Sequence, residues 1–389
     1  MTDVAVTGVG VVSAFGHGVE PFWRGLVEGA SGLRPIRRFE VPPGVALGAE
    51  VPPLATRELV TTAVGRRIDW VSLMALAAAR LALVDARLAM TDLEPSRTGL
   101  GLGSAWGNLH ETAAFLDRLF ARGGGNPLLF PNLVFNAPLS YVSIELGITG
   151  PTAMLSAQEA SGESALAWAA EQVAEDAADV CLAGGVDELG AVLHQVLREG
   201  RTLARDVARP LDPAADGPCP GEGAAVLVLE GLARARARGA RVHARLCAIP
   251  GFAVPAPVHG WARDPVPVAE GIARAAGDAD AVFAAASGRP ELDALEAEAL
   301  ARAFGERRPV VTAVRGAVGD FGAAGALTAA AAALAVSAGL VPPTPGVVLP
   351  ARAGLDVVTQ TARRRQLRVA LVDGLARGGL CRPLRLEAA

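Results

Sequence analysis

Residues 150–164 read G-P-T-A-M-L-S-A-Q-E-A-S-G-E-S, and this stretch decides the fold. Its apolar part, Thr152–Ser156, predicts a short buried strand, and Glu163–Ala174 predicts a helix. The tight turn between them carries Glu159. A strand–turn–helix passage of this kind commonly displays a nucleophile at the turn, where the helix dipole stabilises an anion. Here a carboxylate occupies that position.

The composition indicates a large globular protein without a disulfide or metal framework. A chain of 389 residues with 51% hydrophobic content can bury a large core, which excludes a disordered chain. The formal net charge of −4 gives no electrostatic reason to expect a nucleic acid as partner. We predict no metal site, because neither a CxxC pair nor a zinc-type spacing occurs among Cys181, Cys219, Cys247 and Cys381.

One segment is long enough to span a membrane, but its composition argues against insertion. Gly322–Val341 is an uncharged run of 20 residues, made mostly of Ala and Gly, with few of the large apolar residues that drive insertion. We interpret this run as a buried core helix and expect no membrane as partner. The N-terminal residues Met1–Val4 lack the basic region of a signal peptide, which predicts a cytoplasmic location.

Strands and helices alternate along the chain in two successive series. The first begins with a strand in Val4–Ser13, whose glycines lack the G-x-G-x-x-G spacing, so we predict no dinucleotide or other cofactor. From about Val242 the pattern of strands and helices begins again. This alternation predicts an α/β protein with mostly parallel sheets. We expect two similar halves, residues 1–241 and 242–389, with the Ala-rich helix between two sheets.

Ordered motifs occur over nearly the full length of the chain. They are T-G-V-G-V-V-S in Thr7–Ser13, R-P-L-D in Arg209–Asp212, G-E-G-A in Gly221–Ala224, R-G-A in Arg238–Ala240 and V-P-P-T in Val341–Thr344. In this order they resemble segments of the beta-ketoacyl synthases, which are acyltransferase-type condensing enzymes of the thiolase fold. The resemblance implies a five-layer αβαβα sandwich formed by the two similar halves.

The resemblance also locates the positions where the family chemistry is missing. Active ketosynthases use one Cys and two His, and the matching positions here hold Glu159, Ser287 and Asp320 (or the adjacent Phe321). A carboxylate cannot form the thioester. The two histidines donate hydrogen bonds to developing negative charge, and losing one such donor raises a barrier by about 2.7–4 kcal/mol. We therefore expect no catalytic chemistry from this chain alone.

A structural use for the former catalytic position is suggested by two arginines. The family's terminal G-F-G-G motif reads A-R-G-G over Ala376–Gly379, so Arg377 replaces a Phe that lies near the Cys. Arg315 begins the stretch that ends at Asp320. We expect Glu159 to form an ion pair with Arg315 or with Arg377.

A ketosynthase-like chain without these catalytic residues is similar to the chain length factor, the beta subunit of type II polyketide synthases. This resemblance implies a heterodimer with a catalytic ketosynthase, transient contact with an acyl carrier protein, and a growing polyketide in the partner's tunnel. Many such subunits carry Gln at the Cys position, whereas here Gln158 precedes Glu159. The stretch from Asn132 to Ile144 most resembles subunits of reducing, polyene-forming systems.

Two sets of residues are implicated in assembly by the same resemblance. The strand residues Met154, Leu155, Ser156 and Ala157 are expected to line the dimer interface. The predicted helix Asn108–Arg122 is expected to approach the partner's tunnel, which makes Leu109, Thr112, Phe115 and Leu116 candidate gates for product length. An ordinary core or interface role for these apolar residues is the alternative.

Two other functions remain open from the sequence. One is decarboxylation of malonyl-acyl carrier protein to prime chains, which needs a donor for the developing oxyanion. The other is a repurposed cleft in which Glu159 or Asp320 acts as a general base, since paired carboxylates in a cleft can do such work.

Overall fold

The computed structural model describes residues 3–42, 47–63, 67–247, 249–350 and 354–389. Its strands are β1 (Val4–Ser13), β2 (Gly16–His17), β3 (Arg34–Pro35), β4 (Leu47–Gly48), β5 (Thr98–Gly103), β6 (Thr152–Leu155), β7 (Val180–Asp187), β8 (Gly223–Gly231), β9 (Ala244–Cys247), β10 (Phe252–Ala253), β11 (Ala281–Phe283), β12 (Val310–Thr312), β13 (Leu340–Val341), β14 (Asp356–Val357), β15 (Arg363–Arg364), β16 (Val369–Val372), β17 (Leu380–Cys381) and β18 (Leu384–Glu387). Its α-helices are α1 (Val19–Val27), α2 (Thr56–Leu59), α3 (Trp70–Ala86), α4 (Leu109–Arg122), α5 (Ala137–Leu146), α6 (Ser161–Ala174), α7 (Ala191–Glu199), α8 (Leu232–Ala237), α9 (Pro265–Ala276), α10 (Pro290–Phe304), α11 (Arg315–Val318) and α12 (Ala324–Ala338).

The main sheet consists of two half-sheets with the same strand order. In the N-terminal half the order is β6-β5-β7-β8-β1, and in the C-terminal half it is β12-β11-β16-β18-β9. Two short strands, β2 beside β1 and β14 beside β12, complete the sheet. In each half the first three strands of this order are parallel, and the last two add antiparallel. The prediction of two similar halves is therefore confirmed at the level of sheet topology. The boundary between residues 241 and 242 stays a prediction.

The two half-sheets are joined where the sequence predicts two separate sheets. Val4 and Val6 of β1 pair with Leu246 and Ala244 of β9, so a twelve-stranded sheet runs through the described residues. The first part of β1 forms backbone hydrogen bonds with β8 along one edge and with β9 along the other, and this connects the two half-sheets. At the two ends of this sheet lie β6 and β14.

Five layers arise because both faces of each half-sheet carry apolar side chains. In β8, Ala225, Leu227 and Leu229 pack into the central layer with α6 and α12, whereas Val226 and Val228 pack with α3 and α5 on the other side. This alternation is the period of two that a strand imposes. On the far side of the C-terminal half-sheet, α9 and α10 form the fifth layer. The predicted αβαβα sandwich is confirmed.

The Ala-rich run forms the middle of the central layer. The helix α12 occupies Ala324–Ala338, and the residues after it, Leu340–Val341, form β13. It packs against strands of both half-sheets, with every residue from 324 to 336 buried. Small side chains permit this close approach of a helix to two sheets. Among the described residues, no helix is long and apolar enough to cross a membrane.

Candidate functional site

The site is built around the turn that joins β6 to α6. After β6 ends at Leu155, a 3-10 turn covers Gln158–Ala160, and α6 begins at Ser161. The Ser161 hydroxyl accepts a hydrogen bond from the Ala157 amide at 3.0 Å and donates one to the Gln158 carbonyl at 2.7 Å. Gln158 lies in the left-handed region with φ of 52°. Glu159 is thereby buried at the N-terminus of α6, where the helix dipole favours its negative charge.

The Glu159 carboxylate is paired with Arg377. The Arg377 Nε donates to Glu159 Oε1 at 2.7 Å, and the Arg377 amide donates to Glu159 Oε2 at 3.2 Å. Arg377 lies in a short turn, Arg377–Gly379, that precedes β17. Both carboxylate oxygens are therefore held by one residue of the C-terminal half.

Asp320 is paired with two other arginines. Arg289 Nη2 lies 3.3 Å from Asp320 Oδ2, and Arg315 Nη1 lies 3.3 Å from Asp320 Oδ1. Arg315 does not reach the Glu159 carboxylate within ion-pair distance, although its Nη2 donates to the Glu159 carbonyl oxygen at 3.4 Å. Of the two arginines that the sequence proposes as partners of this carboxylate, Arg377 is the one in contact.

A second, fully buried carboxylate lies beside Arg315. Glu163 Oε1 is 3.7 Å from Arg315 Nη2, and neither Glu163 oxygen has a hydrogen-bond partner among the described residues. Burial raises the pKa of Glu163 to about 7, against the lowering effect of Arg315. Glu163 is therefore a carboxyl group beside the site that can hold a proton near neutral pH.

Ser287 is buried behind the site. Its amide donates to Asp293 Oδ1 at 3.1 Å, and the Gly288 amide donates to Asp293 Oδ2 at 3.0 Å. The Ser287 hydroxyl has no hydrogen-bond partner in the described part of the chain. Burial raises the pKa of Asp293 to about 6. The Ser287 side chain does not line the cavity between these groups, whereas that of Arg289, two residues later, does.

The space between these groups is a cavity of about 50 Å³. Pockets that hold small molecules usually measure roughly 300–1,000 Å³. Its walls carry Glu159, Asp320, Arg289 and Arg377, with apolar groups that include Trp106, Leu193, Leu197 and Phe321. The arginine side chains and their carboxylate partners thus leave no room for an acyl group.

Metal and thiol chemistry find no support at this site. Within the described residues, no group of three His, Cys, Asp or Glu side chains could hold a metal ion. All four cysteines are free, and none lines the cavity. Burial raises the pKa of the Cys181 and Cys381 thiols to about 12 and that of Cys219 to about 11, which makes them poor nucleophiles.

Two site residues escape prediction from the sequence. Arg289 is visible in the motif Ser287-Gly288-Arg289, but its ion pair with Asp320 depends on how α10 and α11 pack. One signal points to Glu163: it is a charged residue on α6, and its neighbours Gly162, Ala165 and Leu166 are buried. A carboxylate there needs a cation from another element, which is Arg315.

The residues expected at the dimer interface lie on a sheet edge. β6 pairs on one side with β5, and no strand among the described residues pairs with its other side. Met154, Leu155 and Ala157 are half-buried, and Ser156 is exposed. An unpaired edge of this kind offers backbone groups to another chain.

The candidate gate residues lie on α4, which has no fully buried residue. The Phe115 ring packs edge-on against Phe130 with ring centroids 6.4 Å apart, and the Thr112 hydroxyl donates to the Asn108 carbonyl at 2.8 Å. Leu109 is half-buried, and Leu116 is exposed. Exposed large apolar side chains occur on α4 and the following segment at Leu116, Leu119, Phe120, Leu128, Phe130, Val134, Phe135 and Ile144.

The segment that follows α4 is fixed by three polar side chains. Asn108 Nδ2 donates to the Asn132 carbonyl at 2.7 Å, and the Tyr141 hydroxyl donates to Asn132 Oδ1 at 2.6 Å. Asn132 Nδ2 in turn donates to the Arg67 carbonyl at 2.9 Å. Asn132 therefore links Asn108, the residue before α4, to Tyr141 of α5.

Comparisons with known proteins agree with this geometry. The profile of the beta-ketoacyl synthase N-terminal domain matches residues 1–235. The chain belongs to the beta-ketoacyl synthase family. The profile of the family's C-terminal domain matches residues 268–348.

Relatives within the beta-ketoacyl synthase family align over nearly the whole chain. The actinorhodin polyketide putative beta-ketoacyl synthase 2 of Streptomyces coelicolor is 32% identical, over 97% of this chain and 96% of that protein. The tetracenomycin polyketide synthase ketoacyl synthase beta subunit of Streptomyces glaucescens is also 32% identical, with the same two coverages. The solved structure of the ishigamide ketosynthase/chain length factor has a TM-score of 0.93 and 29% identity, covering 100% of this chain and 99% of that one.

Proposed function

We propose that this chain is a non-catalytic chain length factor, which forms a heterodimer with a catalytic ketosynthase and helps to shape the tunnel for the growing polyketide. The observation that carries the proposal is the pairing of Glu159 and Asp320 with arginines where the family has its catalytic residues. The relative named as a beta subunit and the structure named as a ketosynthase/chain length factor support the same role.

Condensation is disfavoured by more than the missing cysteine. The cavity of about 50 Å³ has no space for an acyl thioester, and the charged groups around it neutralise each other. Arg289 and Arg377 could donate hydrogen bonds to an oxyanion, but each already binds a carboxylate. A preorganised donor must be aimed at the charge that develops in the transition state.

The heterodimer is supported by two neighbouring surfaces. The edge of β6 offers unpaired backbone groups, and the segment 116–144 exposes eight large apolar side chains. Exposed apolar groups in such number on one region mark protein–protein contact sites. A ketosynthase that covers both surfaces would bury them together, with Met154, Leu155, Ser156 and Ala157 at the strand edge.

The gate role is proposed for the side of α4 that carries Leu109, Thr112 and Leu116. These positions follow a spacing of three and four residues, which places them on one helix face. Phe115 already packs against Phe130 of its own chain, so we propose that it supports the gate from behind. The growing polyketide would meet this face inside the partner's tunnel.

The finer features of the system are also proposals. The stretch from Asn132 to Ile144 favours a reducing, polyene-forming system, in which an acyl carrier protein binds transiently. A cytoplasmic location is favoured by the four free thiols, because disulfides are rare in reducing compartments.

Neither alternative activity is favoured by a specific observation. Priming by decarboxylation requires space for a malonyl group, and the cavity of about 50 Å³ does not provide it. A general base must reach a substrate proton. Glu159 and Asp320 instead accept hydrogen bonds from arginines in a cavity of about 50 Å³.

Native mass spectrometry of the chain expressed alone and with its ketosynthase tests the proposal. A one-to-one complex that forms on co-expression is expected. A stable homodimer that ignores the ketosynthase would overturn the proposal. Turnover of malonyl-acyl carrier protein by the purified chain would favour the decarboxylase instead.

A further inference from the structure

The turn before α6 holds a backbone conformation that its own sequence does not favour. Gln158 has a φ of 52°, a left-handed conformation that is unfavourable for a residue with a Cβ atom. Strained residues of this kind persist only where the surrounding structure determines them. Local support comes from the Ser161 side chain, which bonds the Ala157 amide and the Gln158 carbonyl, and from the Ala160 amide, which donates to the Ala157 carbonyl at 3.1 Å.

Further support comes from the C-terminal half of the chain. Arg377 binds both Glu159 carboxylate oxygens, through Nε and through its own amide. Arg315 binds the Glu159 carbonyl at 3.4 Å. These three contacts fix the residue next to Gln158 from two sides. The Arg377 amide is placed by the short turn at Arg377–Gly379, so the brace is tied to backbone as well as to a flexible side chain.

The strained turn lies directly after the exposed sheet edge. Gln158 and Ser156 are exposed, and Ala157 between them is half-buried. These residues continue the unpaired edge of β6, which ends at Leu155. Any change in the turn therefore changes the direction in which the end of the edge strand leaves the sheet.

We propose that Arg377 and Glu159 form a brace that holds the left-handed turn at Gln158 and thereby presents Ser156, Ala157 and Gln158 to the partner subunit. This inference rests on the proposed function, because it requires a ketosynthase at the β6 edge. Glu159 and Arg377 are positioning residues, and they act on partner affinity through Gln158. The former catalytic turn thus serves assembly.

Glycine at position 158 separates this role from a general stabilising role. Glycine adopts positive φ without steric cost, so Gln158→Gly keeps the turn without help from the brace. We expect Glu159→Gln to raise the dissociation constant for the ketosynthase at least about tenfold in the wild-type background. In the Gln158→Gly background the same change should raise it no more than about threefold. Isothermal titration or interferometry gives all four constants.

Glu230→Gln is the matched control, because Glu230 is a buried carboxylate that binds an arginine, Arg238, away from the turn. It should lower the melting temperature and leave the dissociation constant unchanged. Equal effects of Glu159→Gln in both backgrounds, or no effect in either, would overturn the brace. If Glu159→Gln does not fold, Arg377→Gln, which removes the other side chain of the brace, replaces it in both backgrounds. Failure of the wild-type chain to bind the ketosynthase would overturn both the proposed function and the brace. If the wild type binds and Glu159→Gln binds with the same dissociation constant, only the brace is overturned.

Discussion

Each carboxylate at the former catalytic positions is tolerated because an arginine compensates its charge. Glu159 and Asp320 are nearly buried, and each accepts hydrogen bonds from guanidinium groups. Breaking a buried pair by removing one partner typically destabilises a protein by about 3–5 kcal/mol, because the other charge remains uncompensated. Arg377 keeps some contact with solvent, so the destabilisation caused by breaking its pair with Glu159 should be toward the lower end of that range.

Restoring the nucleophile alone is not expected to restore reactivity. In Glu159→Cys the cavity still carries Arg289 and Arg377, and the position of the first family histidine is still Ser287. We predict no acyl adduct on the variant after incubation with acyl-acyl carrier protein, as measured by intact mass. The catalytic ketosynthase serves as positive control and the wild-type chain as negative control. A stoichiometric adduct on Cys at position 159 would contradict the closed cavity.

Glu163 predicts a pH dependence of stability. Its pKa is raised by burial from 4.5 to about 7 in the folded chain, so the folded state holds a proton that the unfolded state has lost. The resulting stability is fully present below the unfolded pKa and is lost as the pH rises through about 7. Between pH 6 and pH 8 the loss amounts to about 1 kcal/mol.

The variant Glu163→Gln isolates this term. The free energy of unfolding of Glu163→Gln minus that of the wild type should be about 1 kcal/mol larger at pH 8 than at pH 6, as measured by urea denaturation at both pH values. Ser164→Ala, next to it on α6, should follow the wild-type pH dependence. Parallel pH profiles for wild type and Glu163→Gln would mean that Arg315 keeps the carboxylate ionised throughout.

At the scale of elements, α4 differs from the other long helices because it packs on one side only. It contacts the segment 127–133 and α7, and none of its residues is fully buried. An amphipathic helix with an uncovered apolar side is incomplete without another surface. Its exposed side chains therefore depend on the partner for burial.

The helix α4 gives a test of product length. Thr112→Trp adds a large ring at a position whose hydroxyl donates to the carbonyl of Asn108, the residue before α4, so the fold should tolerate it. If Thr112 faces the tunnel end, the products should be shorter, as measured by liquid chromatography with mass spectrometry. Asp117→Trp, on a different and exposed side of α4, should leave the product length unchanged. Unaltered products from an intact Thr112→Trp heterodimer would remove Thr112 from the gate.

Local patterns predict the elements better than they predict contacts between elements. Helix Glu163–Ala174 and strand Val4–Ser13 are visible in the sequence because periodicity is a local property, and α6 and β1 confirm them. The join of β1 to β9 depends on residues some 240 positions apart and has no local signal. Motif position alone proposes Arg315 and Arg377 as partners of Glu159, and only packing shows that Arg377 is the one in contact.

At the scale of the whole molecule, the apolar surface beside the β6 edge determines the expected assembly. Phe120, 82% exposed, is the most prominent member of this surface. Aromatic residues at the centre of an interface often contribute most of the binding energy. We predict that Phe120→Glu weakens the ketosynthase complex by about 2 kcal/mol or more, measured by titration.

Val348→Glu is the matched control for this surface prediction. Val348 is similarly exposed but lies in the C-terminal half, outside the segment 116–144. This variant should bind the ketosynthase as the wild type does. A Phe120→Glu chain with full affinity would place the interface elsewhere on the molecule.

The alanine helix has a consequence for how this protein can change over generations. Most of its side chains are single methyl groups, and enlarging them would push the two half-sheets apart, so the helix resists substitution. The charged cluster lies at one end of that helix, where exchanges alter chemistry without altering the spacing of the layers. A few substitutions in the charged cluster can therefore abolish the reaction of an ancestral enzyme without changing its fold, and that fold then remains available for a different function.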